Sequence, residues 1–223
     1  MDTERTDTRQ VPGRTPRASH LRCGLGQNVR LMPADRLDLA ARTAAATKDD
    51  TIRGLAFNAA FEVAREHADD ATALQCDPAG KGKRADFSAY PVTELLQVAW
   101  AVADRLERKL GGVDEVFFQI GYRATAGVLG SMLGSTILAF GRSPRALVGQ
   151  VPSAFKATTG YGQRFVTWEG EQAARIEFDH EFLPLAYLRG TIQAGLDAAS
   201  GKDPAVEGTA PGFMKAVFRV SWR

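Results

Sequence analysis

"RIEFDHEFLPLAYLRGTIQAGL", residues 175–196, changes its period part-way. From Arg175 to Phe182 apolar and polar residues alternate, which is the period of a strand. From Pro184 onward Leu185, Leu188, Ile192 and Leu196 recur at helical spacing, and Pro184 suits a helix start. The flanks extend this reading. Upstream, "QRFVTWEG" and "AARIEFDHEF" alternate around a turn at Gly170, which predicts a β-hairpin. Downstream, beyond Gly201, "PAVEGTAPG" and "KAVFRVSW" predict a second pair of strands. The second half of the chain therefore reads β-β-α-β-β.

Strand alternation also assigns faces. Ile176, Phe178, His180 and Phe182 share one side of the strand, and Glu177, Asp179 and Glu181 share the other. His180 then points away from the acids beside it, so "FDHEFLP" is not a local catalytic or metal cluster. The expectation is a partly buried His180 with one satisfied hydrogen bond, and Asp179 and Glu181 in water.

The first half carries helical periods. "TIRGLAFNAAFEVAREHA" has apolar anchors at Ile52, Leu55, Phe57 and Phe61, with helical spacing from Ala56. "DPAGKGKR" reads as a loop with Lys81, Lys83 and Arg84 solvated. It is no phosphate-binding loop, because Asp77 stands where that motif needs glycine. "YPVTELLQVAWAVADRLERKLGG" is a helix ended by Gly111–Gly112. A second helix starts at Val113 or Asp114, and it or a successor runs to Phe140. Gly127, Gly130 and Gly134 fall on one face of it. Each costs about 1 kcal/mol of helix propensity against alanine, so the expected return is close approach of another backbone or the floor of a cavity. These three glycines, with Tyr187 and Trp100, are the candidate pocket or interface residues. "RSPRALVGQVPSAFKATTG" predicts one short helix with Ser143 as its cap and Pro144 in first position. The fold class is α+β: a helical first half followed by a β-β-α-β-β antiparallel sheet unit.

Composition bounds the function. Residues 1–50, polar and mixed in charge, read as a mostly disordered tail with a short helix at 33–47, and residues 51–223 as a single α+β domain. The tail holds nine Arg/Lys and seven Asp/Glu, which is the whole net charge of +2. The domain has no net charge and no overall pull on phosphate backbones, so no nucleic-acid partner is expected. Residues 124–140 are uncharged, at the lower edge of a membrane span. Their glycines, serines and threonines make a buried helix the better reading, so no membrane span is expected. No apolar signal segment follows the charged N-terminus, which predicts a cytoplasmic protein. Cys23 and Cys76 are expected as free thiols in that compartment.

Motifs for chemistry are missing from the sequence. His20 and Cys23, with His67 and Cys76 downstream, lack the paired spacing of a zinc set. "GLG" at 24–26 lacks the third glycine of a dinucleotide site, and no G-x-S-x-G elbow is present. No catalytic residue and no metal ligand is assigned, and the chain reads as no enzyme.

With those residues laid out, the chain resembles a bacterial family of unknown function present as many paralogues in myxobacteria. The resemblance covers about residues 51–223 and rests on "IRGLAFN", "FSAYPVTELLQV", the Gly121–Gly141 helix, "LVGQVPSAFKATTGYGQRFV", "FLPLAYLRGTIQAGL" and "FRVSW". More distantly, helices followed by a hairpin, a helix with Tyr187, Gly190 and Leu196, and a terminal strand are similar to the ligand-binding fold shared by haem nitric-oxide sensor, 4-vinyl reductase-type and TRAPP-like domains. That likeness implies an apolar pocket between helices and sheet. It does not carry the haem with it: the sensors hold iron on a helix histidine, and residues 91–160 contain none. Nor does it carry a metal near the last hairpin, since "GTAPGFMKAVF" has no cysteine. The expected function is a non-catalytic sensory or regulatory module binding a small apolar ligand, without cofactor. The alternative is a homodimeric interaction or scaffold module without ligand.

Overall fold

The computed structural model describes residues 39–131, 134, 135, 139, 141–199 and 202–223. The expected tail lies mostly outside the described residues, as do His20 and Cys23. Described structure begins with α1 (Leu39–Ala45), inside the helix expected at 33–47. Strand β1 (Thr51–Arg53) leads into α2 (Gly54–His67) and the short α3 (Asp70–Gln75), whose Asp69 cap accepts from the Thr72 amide. Strand β2 (Ala89–Pro91) pairs antiparallel with β1 and runs into α4 (Val92–Leu110). Gly111 ends α4 with φ of 91°, a left-handed turn that glycine adopts at no steric cost. Then come α5 (Val113–Leu129), α6 (Pro144–Gly149), α7 (Val151–Thr158), β3 (Gln163–Trp168), β4 (Ala173–Asp179), α8 (Leu185–Asp197), β5 (Ala205–Gly212) and β6 (Lys215–Ser221). The fold is α+β, a helical first half followed by the β-β-α-β-β unit.

The four later strands form one antiparallel sheet in the order β3-β4-β6-β5. Its inner face carries Ala174, Ile176 and Phe178 from β4 and Ala216, Phe218 and Val220 from β6, all buried. Phe178 meets Phe155 and Phe218 edge-on at 5.2 and 5.8 Å, joining sheet to helices. The helical side of the core is the stripe Leu95, Leu96, Ala99, Val102, Ala103 and Leu106 of α4, as its spacing requires.

Three local readings need correction. The helix expected over 143–158 is two helices that meet at Gln150. Pro152 has no N–H to continue the first, so it starts the second. Arg84 is not solvated: it is 3% exposed and donates to both oxygens of Asp77, each at 3.0 Å. The faces expected for His180 and Glu181 are exchanged, while Phe182 is buried as expected. β4 loses both neighbours beyond Asp179, pairing last with Gln163 and Lys215. His180 then takes φ of 56° and the alternation slips by one residue. Its side chain is half-exposed, 3.7 Å from Asp50, whereas Glu181 is 1% exposed.

Helices α5 and α8 lie along one another. A Cβ on Gly121 would collide with the Tyr187 carbonyl oxygen, and one on Gly190 with that of Phe118. These two glycines let the backbones touch. Gly127 and Gly130, expected in that role, are exposed, with no other described element against them, and Gly130 caps α5. Gly134 is buried against the carbonyls of Val128 and Leu129, the last turn of α5.

Candidate functional site

Past the Gly121–Tyr187 contact, α5 and α8 diverge, and α6 and α7 lie across the gap. The space left is a cavity of about 120 Å³, open to solvent on one side. Its wall takes Ala124, Thr125, Val128 and Leu129 from α5, and Tyr187, Thr191, Ile192, Gly195 and Leu196 from α8. Leu147, Val148, Val151, Ala154 and Phe155 close it from α6 and α7, and Ile52, Arg53 and Leu55 from the start of the domain. The lining is overwhelmingly apolar. A cavity of about 150 Å³ binds one benzene ring, so this one has room for an apolar group of about that size. Tyr187 is the one sequence candidate in this wall. Trp100 lies outside it, on α4, with its ring edge-on to Phe117 at 5.1 Å.

The polar groups of the wall are few and mostly committed. Thr191 donates to the Tyr187 carbonyl at 3.1 Å, and Thr158 to that of Ala154 at 3.0 Å. Arg53 donates from Nε to the Ala157 carbonyl at 3.1 Å and from one terminal nitrogen to that of Phe87 at 3.0 Å. Tyr187 is 5% exposed. Burial first, and the Glu181 charge second, push its hydroxyl well above the ordinary tyrosine range. It therefore stays a neutral phenol.

Behind Phe155, Leu183 and Tyr187 sits a buried ionic cluster that alternation alone hid. Glu181 accepts from Arg164 at 2.6 Å, from the Tyr161 hydroxyl at 3.2 Å and from the Leu183 amide at 3.0 Å. Arg164 also donates to the Tyr161 carbonyl and lies over the rings of Phe155 and Tyr161, at 4.9 and 5.1 Å. Arg42 of α1 donates to the Glu181 carbonyl at 2.6 Å. Every oxygen of Glu181 is thus occupied, so the cluster has a structural account: it fixes the back of the cavity wall. Desolvation, then Glu181, raises the Tyr161 hydroxyl far above its usual value. The second buried pair, Asp77–Arg84, holds the loop after α3. Burial pushes the Asp77 carboxyl up, but Arg84 and the Gly82 amide outweigh it and hold it below the usual carboxylate range.

Among the described residues no group of three or more metal-binding side chains occurs. Cys76 is buried and unbridged, and burial raises its thiol. No described helix is long and apolar enough to cross a membrane.

A family described as "Protein of unknown function (DUF2378)" matches residues 45–223. The chain belongs to this family. No curated protein matches it in sequence. Among solved structures, the family member is similar in fold to H-NOX proteins. One is the S. oneidensis H-NOX protein in its Fe(II)NO ligation state, with a TM-score of 0.62 and 9% identity over 77% of this chain and 99% of that one. A second is the unliganded Fe(II) H-NOX protein of K. algicida, at 0.61 and 9% over 77% and 97%. A third, from work on heme distortion in the H-NOX family, gives 0.62 and 12% over 77% and 95%. At such identities the likeness is one of fold.

Those neighbours raise the question whether this cavity fits haem. Iron needs a histidine, thiolate, thioether or phenolate ligand. The described histidines are His67, at the end of α2, and His180, and neither lines the cavity. Among the described residues the wall has no cysteine or methionine. Tyr187 is the one lining group with a suitable oxygen, and its burial opposes the phenolate form. No described lining residue offers haem iron a ready ligand.

Proposed function

We propose that the chain is a non-catalytic sensory or regulatory module that takes a small apolar ligand, without haem, in the cavity between α5, α6–α7 and α8. The observation that carries this reading is the cavity: concave, apolar, and walled by separate elements, as ligand sites commonly are. Its place in a fold shared with H-NOX proteins supports the sensory part. Occupancy would pull α6 and α7 toward the α5–α8 pair, which is a route from ligand to surface. Native mass spectrometry of protein purified from the organism that makes it tests the reading. A reproducible added mass of a small organic molecule is expected, together with its loss in Ala154→Phe. An empty wild-type protein from several growth conditions would contradict it.

The competing reading is a homodimeric scaffold without ligand. Phe165, half-exposed on the outer side of the sheet edge, favours an interface there. Sedimentation at micromolar concentration separates the two: a dimer broken by Phe165→Ser, with no bound mass, would favour the scaffold.

A further inference from the structure

Arg53 is the one charged residue in the cavity wall among the described residues. No carboxylate lines the cavity among the described residues, and no ion pair is made by Arg53 there. Its two hydrogen bonds go to neutral carbonyls, on Ala157 and Phe87. These hold the guanidinium in place with no carboxylate beside it. The contrast with the other inward arginines is instructive: Arg84 and Arg164 each have a carboxylate at 3.0 Å or less. Arg53, a half-buried residue whose guanidinium is fixed by two carbonyls at the solvent-reaching edge of an apolar cavity with no described carboxylate, is complementary to a ligand that brings its own negative charge.

We infer that the ligand is a small monocarboxylate, with an apolar body in the cavity and its carboxylate on Arg53. This rests on the ligand-binding reading above and narrows it to one chemical class. The size follows from the volume. A dry cavity of about 150 Å³ takes one benzene ring, so this space suits an apolar body of about six carbons, close to that of octanoate with its carboxylate outside on Arg53. Burial of the body supplies affinity at about 0.8 kcal/mol per methylene. The guanidinium supplies discrimination, because a neutral molecule of the same shape leaves it without an anion.

The test is calorimetric titration of the full chain with octanoate and with 1-octanol at pH 7 and low salt. Wild type should bind octanoate at least tenfold more tightly than 1-octanol. Arg53→Gln should erase that preference, with octanoate affinity falling at least tenfold. Arg53→Lys, which keeps the charge but not the fork of donors, should retain part of it and serves if the glutamine variant folds poorly. Melting curves of both variants establish that they are folded. Equal affinity for the two probes in wild type, or undiminished octanoate preference in Arg53→Gln, overturns the carboxylate assignment and leaves the apolar cavity standing. Failure of both probes to bind the folded wild type overturns the assignment and the cavity reading together.

Discussion

The α5–α8 pair has a closed end and an open end, and the two differ in the bulk between the backbones: glycine at one, branched aliphatic side chains at the other. At the closed end Gly121 and Gly190 remove every atom between two backbones, and each helix meets a carbonyl of the other. At the open end Val128, Leu129, Ile192 and Leu196 hold the helices apart, and Gly195 has nothing within reach. Tyr187 belongs to both: its carbonyl meets Gly121 while its ring lines the cavity. Close packing at one end thus fixes the angle that opens the other. A glycine in a helix signals close approach only when a second element is there to approach. Gly127 has the same residue type as Gly121 and none of its consequences.

That contrast can be broken by substitution, and the strongest blow falls on the wall between the ends. Glu181→Leu leaves Arg164 buried without its partner and should cost about 3–5 kcal/mol in denaturant unfolding. Asp179→Asn, two residues away and exposed, should stay within about 0.5 kcal/mol. Equal effects would mean that Glu181 is not the buried acid. Next, Gly121→Val places carbon against a backbone oxygen that cannot retreat, and should cost about 3 kcal/mol or more. Gly127→Ala, on an exposed helical face, should instead stabilise by up to about 1 kcal/mol. If both destabilise alike, the close approach is misplaced. At the open end the sign reverses: Ala154→Leu fills space and should stabilise by about 0.5–2 kcal/mol while weakening ligand binding. The smallest effect at neutral pH is that of Tyr187→Phe, which removes a buried hydroxyl raised in pKa by its surroundings. In the unfolded chain tyrosine ionises near about 10. The folded state keeps its proton longer, so stability is full below that pH and falls above it. Tyr187→Phe should lose less stability than wild type between about pH 10 and 12. An identical alkaline profile would contradict the burial of that hydroxyl.

Much of this was legible in the sequence. The switch from period 2 to helical spacing across 175–196 is a backbone rule, and it located β4, α8 and the hairpin. The stripe from Leu95 to Leu106 and the Gly111 stop are equally local. The two-stranded pairing of β1 with β2 was not legible, because three-residue strands carry no period. The slip at His180 was hidden for a different reason. Alternation holds only while neighbouring strands hold the chain extended, and where pairing stops depends on residues far away in sequence. Of the residues that line the cavity, Tyr187 was a candidate in the sequence and the others were not. Arg53, Val128 and Phe155 come from three distant segments, and only the crossing set by Gly121 and Gly190 brings them to one cavity. Those two glycines stand in plain view in the sequence, but the helical period of "YLRG" gives no sign of what lies opposite.

The most direct test of the open end as a ligand site is a methyl NMR titration with 1-octanol and, separately, octanoate. Saturable shifts should appear at Val128, Leu129, Val148, Val151, Ile192 and Leu196, which line the cavity. Leu95, Val98 and Val102, packed in α4 away from it, should stay still. Shifts spread evenly over both sets, or no saturable shift with either molecule, would contradict the account.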